Sequence, residues 1–227
     1  MKTPRCAPVL AALLSLALSG SAAAVEIPTR AVDVSFHISH PAKEYDSFLT
    51  PDGGHGTISL DPRALEATTA RFSIKVDHFS SDNVRRDSHM VETMEAFVYP
   101  SIEWSVDKVT GLAGPLVPGV HSGVATGPLT VHGVTRQLQV PIELTVGGQA
   151  ELTIGAQFTI LLEDYGIERP TLVFVPIENE LPIVVKVTTR PDPALLEAAA
   201  AAPAATPALD VGPDPAADAE PTPEEAP

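Results

Sequence analysis

Positive charge and aromatic side chains are both in short supply in this chain. There are 14 Lys and Arg against 29 Asp and Glu, a formal net charge of −15, and Phe, Tyr and Trp make up 5% of residues. A nucleic-acid-binding protein neutralises phosphates with a basic surface, so this balance argues against such a partner. The same deficit leaves no basic patch for an anionic membrane. Cysteine occurs once, as Cys6. A lone thiol cannot close an internal disulfide, and a structural zinc site loses its usual ligands. The longest apolar run, Val9–Ser19, falls well short of the roughly 20 residues that a membrane-spanning helix needs. Neither G-x-S-x-G nor H-E-x-x-H occurs, so the signposts of serine hydrolases and zinc proteases are missing.

What is present begins with a secretory signature. Lys2 and Arg5 precede the short apolar run, and Ala22-Ala23-Ala24 supplies an A-x-A cleavage site before Val25. We read residues 1–24 as a signal peptide. Cys6 lies ahead of the apolar run, the wrong place for a lipid-anchor cysteine, so the mature chain carries no thiol. The expectation is an exported protein, periplasmic or secreted, with no stable membrane insertion. At the other end, 191–227 is rich in Ala, Pro and acids and contains no Lys or Arg. Such a composition buries too little apolar surface to offset ordering entropy, so an acidic disordered tail is expected, with at most a brief helix over Ala194–Ala201.

Between these ends the pattern is one of alternation. Gly127–Val146 reads GPLTVHGVTRQLQVPIELTV. Leu129 and Val131 alternate with polar neighbours up to Gly133. Leu138, Val140, Ile142, Leu144 and Val146 then alternate with Gln137, Gln139, Pro141, Glu143 and Thr145. A period of two marks strands with one apolar face, and Gly133 sits where a tight reversal needs an unusual backbone angle. Similar strands are expected at Val32–Ile38, Thr57–Asp61, Ala70–Val76, Ile102–Val106, Ala150–Ile160 and Leu181–Thr189, with a short run at Thr171–Val175. Lys43–Gly56 and Gly111–Gly119 read as loops, and Gly147-Gly148 as a hairpin turn. Pro182 suggests that the last strand begins at an edge. One short helix is expected where Met90, Met94 and Phe97 fall at helical spacing, with Asp87 as its N-cap and Pro100 beyond its end.

Eight or nine alternating strands with short connections favour an antiparallel sheet. Closing it removes the exposed edges. The expected fold is all-β: a single antiparallel barrel of about eight strands over 25–190, wide enough for packed side chains or one slender ligand.

Four segments carry a more specific resemblance. VSFHISH (Val34–His40), RRDSHMVETMEAFVYPSIEW (Arg85–Trp104), the Gly127–Leu144 hairpin and DYGI (Asp164–Ile167) are similar, in this order, to motifs of the YceI-like family of exported polyisoprenoid-binding proteins. The chain departs from the family pattern in two places. Leu162 and Glu163 precede DYGI where an Arg is usual, and the loop after His40 lacks Gly-x-Phe. The resemblance implies a lipocalin-like barrel with an elongated apolar lumen holding an isoprenoid chain. The expected lining is Phe36, Ile38, Phe72, Ile74, Ile102, Trp104, Leu129, Val131, Leu138, Ile142, Phe158, Ile160 and Phe174. Arg85, Arg86 and His89 are candidate contacts for a polar head group.

The function expected is non-catalytic carriage or sequestration of a polyisoprenoid, isoprenoid quinone or other long-chain lipid, without a cofactor. Two alternatives stand beside it: a smaller amphiphile such as a fatty acid or amide, and a hydrolase built on Asp87 and His89. No metal site is expected, because His37 and His40, three apart on a strand, face opposite ways. A homodimer is left open.

Overall fold

The computed structural model describes residues 24–201 except Val173. Nearly all of the expected signal peptide, and the tail from residue 202 onward, lie outside the described residues. The strands are β1 (Val25–Thr29), β2 (Ala31–Ile38), β3 (Tyr45–Leu49), β4 (Gly54–Leu60), β5 (Thr69–Lys75), β6 (Phe79–Ser80), β7 (Ser101–Val106), β8 (Lys108–Thr110), β9 (Gly119–Val131), β10 (Val134–Val146), β11 (Leu152–Leu161), β12 (Thr171–Leu172), β13 (Val175–Pro176) and β14 (Glu180–Thr189). Helix α1 spans Val84–Thr93 and α2 spans Pro193–Ala201.

Twelve strands form one antiparallel sheet in the order β1-β4-β5-β7-β9-β10-β11-β14-β2-β3-β6, with β8 beside β9; β12 and β13 make a separate small hairpin. The order explains how the sheet closes. β1 pairs with β4, and β2 pairs with β14, yet only Arg30 separates β1 from β2. One bent strand therefore joins both ends of the ladder, and the circuit has eight staves: β1–β2, β4, β5, β7, β9, β10, β11 and β14. The expected all-β antiparallel barrel is present, cut into more segments than the alternation suggested.

The β9–β10 hairpin pairs without interruption from Val134 opposite Val131 to Val146 opposite Gly119. Its two-residue turn places His132 at φ 50° and Gly133 at φ 73°. Both central residues take positive φ, the geometry whose twist matches that of the flanking strands. A Cβ at Gly133 would also lie 2.5 Å from the Tyr99 ring.

Several expectations need correction. β1 was not anticipated, because its alternation (Val25, Ile27) is short and broken by Pro28. β3 lies inside the segment read as the Lys43–Gly56 loop; its inward Ser47 is polar, so no apolar period shows. β14 begins at an edge, where Glu180–Pro182 pair with β11 alone, but is interior from Ile183 onward, where it pairs with both β11 and β2. Pro182 is tolerated because the β2 ladder ends at Ile183 opposite Phe36, so no partner on that side needs its N–H. The positive angles after Gly147-Gly148 fall on Gln149 and Ala150, not on the glycines.

The end of the barrel away from α1 is filled. Leu60, Leu65, Leu112, Val146 and Leu152 are buried in one cluster with Val25 and Ile27. Each such side chain contributes about 1.5–3 kcal/mol through its removal from water. The Asp61 carboxylate accepts from Arg63 N–H at 2.9 Å and from its guanidinium at 3.1 and 3.2 Å, pinning the β4–β5 connection. Leu196 of α2 joins this cluster, and Ala194 N–H donates to Asp192 at 2.9 Å as the helix starts. The brief helix expected past Pro191 thus packs against the barrel.

Helix α1 is capped by Asn83, whose side chain accepts from Arg86 N–H at 3.1 Å, not by Asp87 as expected. Asp87 instead reaches back and accepts from Ser81 N–H (2.8 Å), Ser81 Oγ (2.6 Å) and Ser80 Oγ (3.2 Å). Its carboxyl is held below the ordinary carboxylate range: burial pushes it up, but the Ser81 and Ser80 hydrogen bonds and the Arg86 charge together outweigh that. A lowered folded-state pKa stabilises the fold above the unfolded value near 4 and loses that contribution as pH falls through the folded value. Thermal unfolding measured from about pH 5 downward should therefore show a shallower decline for Asp87→Asn than for the parent. At neutral pH the variant should be about 1 kcal/mol less stable. Parallel pH profiles for the two would show that Asp87 does not carry this effect. Phe97 does not continue the Met90–Met94 stripe. It lies past the last helical residue and is 99% exposed.

Candidate functional site

The interior of the barrel encloses a cavity of about 880 Å³, near the upper end of the roughly 300–1,000 Å³ typical of small-molecule sites. Its shape follows from the strands. Leu181, Ile183, Val185 and Val187 of β14 all line it. Alternate residues share one face, and six residues of extended chain rise about 20 Å, so the cavity is a tube along the barrel rather than a round pocket. Ala125, Leu129 and Val131 line the opposite wall on β9.

Apolar side chains dominate the walls. Phe72 and Trp104, opposite each other on β5 and β7, stack at 6.2 Å, and Phe158 lies 6.3 Å from Trp104. Phe36 meets Phe79 edge-on at 5.1 Å. Polar groups concentrate at the α1 end. That helix lies across the opening with Met90 and Met94 on the cavity, together with Asn83, Arg85, Arg86 and His89. Methionine, unbranched and flexible, gives this cover a compliant underside. Lys43 and Tyr45 on one side, and Pro170, Thr171 and Leu172 on another, complete the rim.

Of the residues expected to form the lumen, Phe36, Ile38, Phe72, Ile74, Ile102, Trp104, Leu129, Val131, Ile142, Phe158 and Ile160 border the cavity. Two do not. Leu138 packs against the cluster around Leu129 and Ile160 without reaching the tube. Phe174 points into solvent from the β12–β13 turn, where its φ of 66° carries the side chain away from the barrel. Alternation could not place Phe174, because strands of two residues have no readable period. Residues that sequence reasoning passed over also line the tube: Val32, Val34, Ile58, Val185 and Val187 by the same alternation, and Met90 and Met94 by their helical spacing.

The head-group candidates separate. Arg86 is tied down: Nε donates to Ser81 Oγ at 3.1 Å, Nη2 donates to Ser81 C=O at 2.6 Å, and the guanidinium sits 4.6 Å over the Tyr45 ring. Burial raises the Tyr45 phenol pKa, opposed by the Arg86 charge. Arg85 is exposed at the rim and has no ion-pair partner among the described residues. His89 is exposed and lies 3.7 Å from Glu92. Asp87 addresses Ser80 and Ser81 and makes no hydrogen bond to His89, so the geometry brings no Asp–His pair together. His37 bonds Asp46 at 2.8 Å and His40 bonds the β12–β13 hairpin. Among the described residues no cluster of three or more His, Cys, Asp or Glu is arranged to hold a metal ion.

Known proteins share this architecture. The structure of BcnA from Burkholderia cenocepacia superposes with a TM-score of 0.60 at 15% identity, covering 70% of this chain and 96% of BcnA. A polyisoprenoid binding domain from Saccharophagus degradans, implicated in plant cell wall breakdown, superposes with a TM-score of 0.58 at 16% identity, covering 73% of this chain and 98% of that one. No curated protein sequence matches the chain. The model of the YceI-like domain matches residues 25–189, the whole barrel from β1 to the end of β14, and the chain belongs to that family.

Proposed function

We propose that the protein binds a long apolar lipid, a polyisoprenoid or isoprenoid quinone, inside the barrel and carries or sequesters it without chemical change. The observation that carries this reading is the tube itself, about 880 Å³ of apolar-walled space, packed shut at one end and ringed by polar groups at the other. Such a shape takes a thin chain tail-first and leaves its polar end at the rim. Moving hydrocarbon from water into the tube gains about 0.8 kcal/mol per methylene, so a few isoprene units bind firmly with no catalytic group involved. The relative from Saccharophagus degradans, described as a polyisoprenoid binding domain, supports the choice of ligand class. At the rim Arg85 and Lys43 have no ion-pair partner among the described residues and can meet a phosphate or other polar head, whereas Arg86 serves to hold Ser81 and Tyr45 in place.

The export signature supports a site of action outside the cytoplasm, in the periplasm. Native mass spectrometry of the protein purified from the periplasm of expressing cells should show a bound lipid, and its extracted chain length identifies the class. A chain of only a dozen or so carbons would favour a fatty acid or amide. A protein that is empty as purified and takes up no added polyprenol would overturn the proposal.

A further inference from the structure

Two phenylalanines in an aromatic-poor chain stand fully in solvent at the same end of the barrel. Phe97 and Phe174 are each 99% exposed. Phe97 follows α1 in the segment leading to β7, and Tyr99 in that segment meets His132 of the β9–β10 turn at 4.7 Å. His132 is in turn within 3.2 Å of Tyr165 C=O, in the connection that leaves β11 and runs to Phe174. Both rings therefore project from the end that α1 covers and where the tube opens. Val84, Leu172, Val98 and Val175 add exposed apolar surface there.

The Phe174 hairpin is built rather than loose. Leu172 pairs with Val175, Ile177 N–H donates to Pro170 C=O at 3.0 Å, and Glu178 N–H donates to Ser39 C=O at 2.9 Å. Ala42 N–H donates to His40 Nδ1 at 3.0 Å, which leaves the ring proton on Nε2 to reach Val175 C=O at 3.1 Å. This scaffold holds Phe174 in a left-handed backbone region that L residues enter at a cost, with its ring in water. Both features are unfavourable for a protein that stays in solution, and an apolar patch of this kind marks an interaction surface.

We propose that this end of the barrel docks on the surface of a lipid bilayer, with Phe97, Leu172 and Phe174 entering the acyl boundary. The inference rests on the lipid-carrier reading: the cargo then moves between bilayer and tube without crossing water. Aromatic and aliphatic side chains are the groups that seat at such a boundary. The rim carries charges of both signs, Lys43 and Arg85 beside Glu92. Glu95 beside His132 and Glu168 ahead of Pro170 add acids at this end, so it has no excess of positive charge for anionic head groups, and the contact is apolar and insensitive to salt. No described helix is long and apolar enough to cross a membrane, so the contact is peripheral.

Flotation with phosphatidylcholine vesicles, at low and at high salt, tests this with protein purified from the periplasm. The wild type should float equally in both. Phe97→Asp combined with Phe174→Asp should bind vesicles about tenfold more weakly or worse, while native mass spectrometry still finds lipid in the tube. Phe174→Trp should keep binding, and its fluorescence should be quenched by brominated acyl chains. The proposal falls if the wild type stays in the aqueous fraction, or if the double variant floats as well as the parent. It also falls if the same substitutions break a dimer of a wild type that ignores vesicles, which would assign the surface to a second copy of the chain. An empty barrel that still floats would sink the carrier reading and leave the docking surface standing. A lipid-loaded barrel that does not float would do the reverse.

Discussion

Ala156→Trp is expected to empty the barrel of lipid while leaving the fold intact. Ala156 lies on β11 between Ile142 of β10 and Val185 of β14, and all three border the tube at mid-height. In a filled core an added indole would cost about 1–3 kcal/mol in strain. Here it has about 880 Å³ of unfilled space to enter, so it competes with cargo rather than with neighbouring side chains. Displacing even one five-carbon unit forfeits several methylenes at about 0.8 kcal/mol each, enough to lower lipid loading tenfold or more. The matched control is Gln157→Trp, one residue along. A strand turns successive side chains to opposite faces, so that indole points to solvent and loading should be unchanged. Native mass spectrometry and thermal unfolding of both variants decide the matter. If Ala156→Trp keeps its melting temperature and its full lipid load, the tube is not where lipid binds.

The second large effect expected is on stability, from Gly127→Ala. A Cβ at Gly127 would lie 1.9 Å from the Ser105 carbonyl oxygen, 2.9 Å from its carbon and 3.1 Å from Asp107 N. These are backbone atoms, so no side-chain rotation relieves the clash. The crowding arises where β7 gives way to β8 at Asp107, whose N–H donates to Thr126 C=O at 3.0 Å. The jog presses the neighbouring chain onto β9 at Gly127, which has no side chain to obstruct it. Opening it would break the pairing of β9 with β7 and β8, and a loss of about 3–5 kcal/mol is expected. Gly155→Ala is the comparison: nothing lies within 4 Å of its Cβ position, so its urea midpoint should move little. Equal midpoints for the two variants would show that the close approach at Gly127 is relieved cheaply.

Legibility in the sequence tracked the length of the strands. β9, β10, β11 and β14 are long and alternate cleanly, so their apolar faces could be assigned residue by residue, and most of those faces border the tube. The short segments escaped. β1 has only Val25 and Ile27 to announce it, and β3 buries Ser47. Phe174 was assigned to the lumen by the family resemblance, and it stands in solvent between two strands of two residues each, too short to show which way a side chain faces. On α1, helical spacing placed Met90 and Met94 correctly but could not show where the helix ends, so Phe97 was carried one turn too far. Arg85 and Arg86 are adjacent and chemically identical, and no sequence pattern distinguishes the one held by Ser81 from the one left at the rim.

What the sequence by itself determined is the class of object: alternation with a period of two forces one apolar face on each strand, short turns force antiparallel pairing, and a sheet of that kind must curl to hide its greasy side. What only the tertiary structure decided is that the inside is a tube rather than a filled core. A strand pattern says which side chains face inward but not how far apart the facing walls stand. That distance is set by closure through the bent β1–β2 strand and by the number of staves, properties of the whole circuit that no single stretch of chain contains.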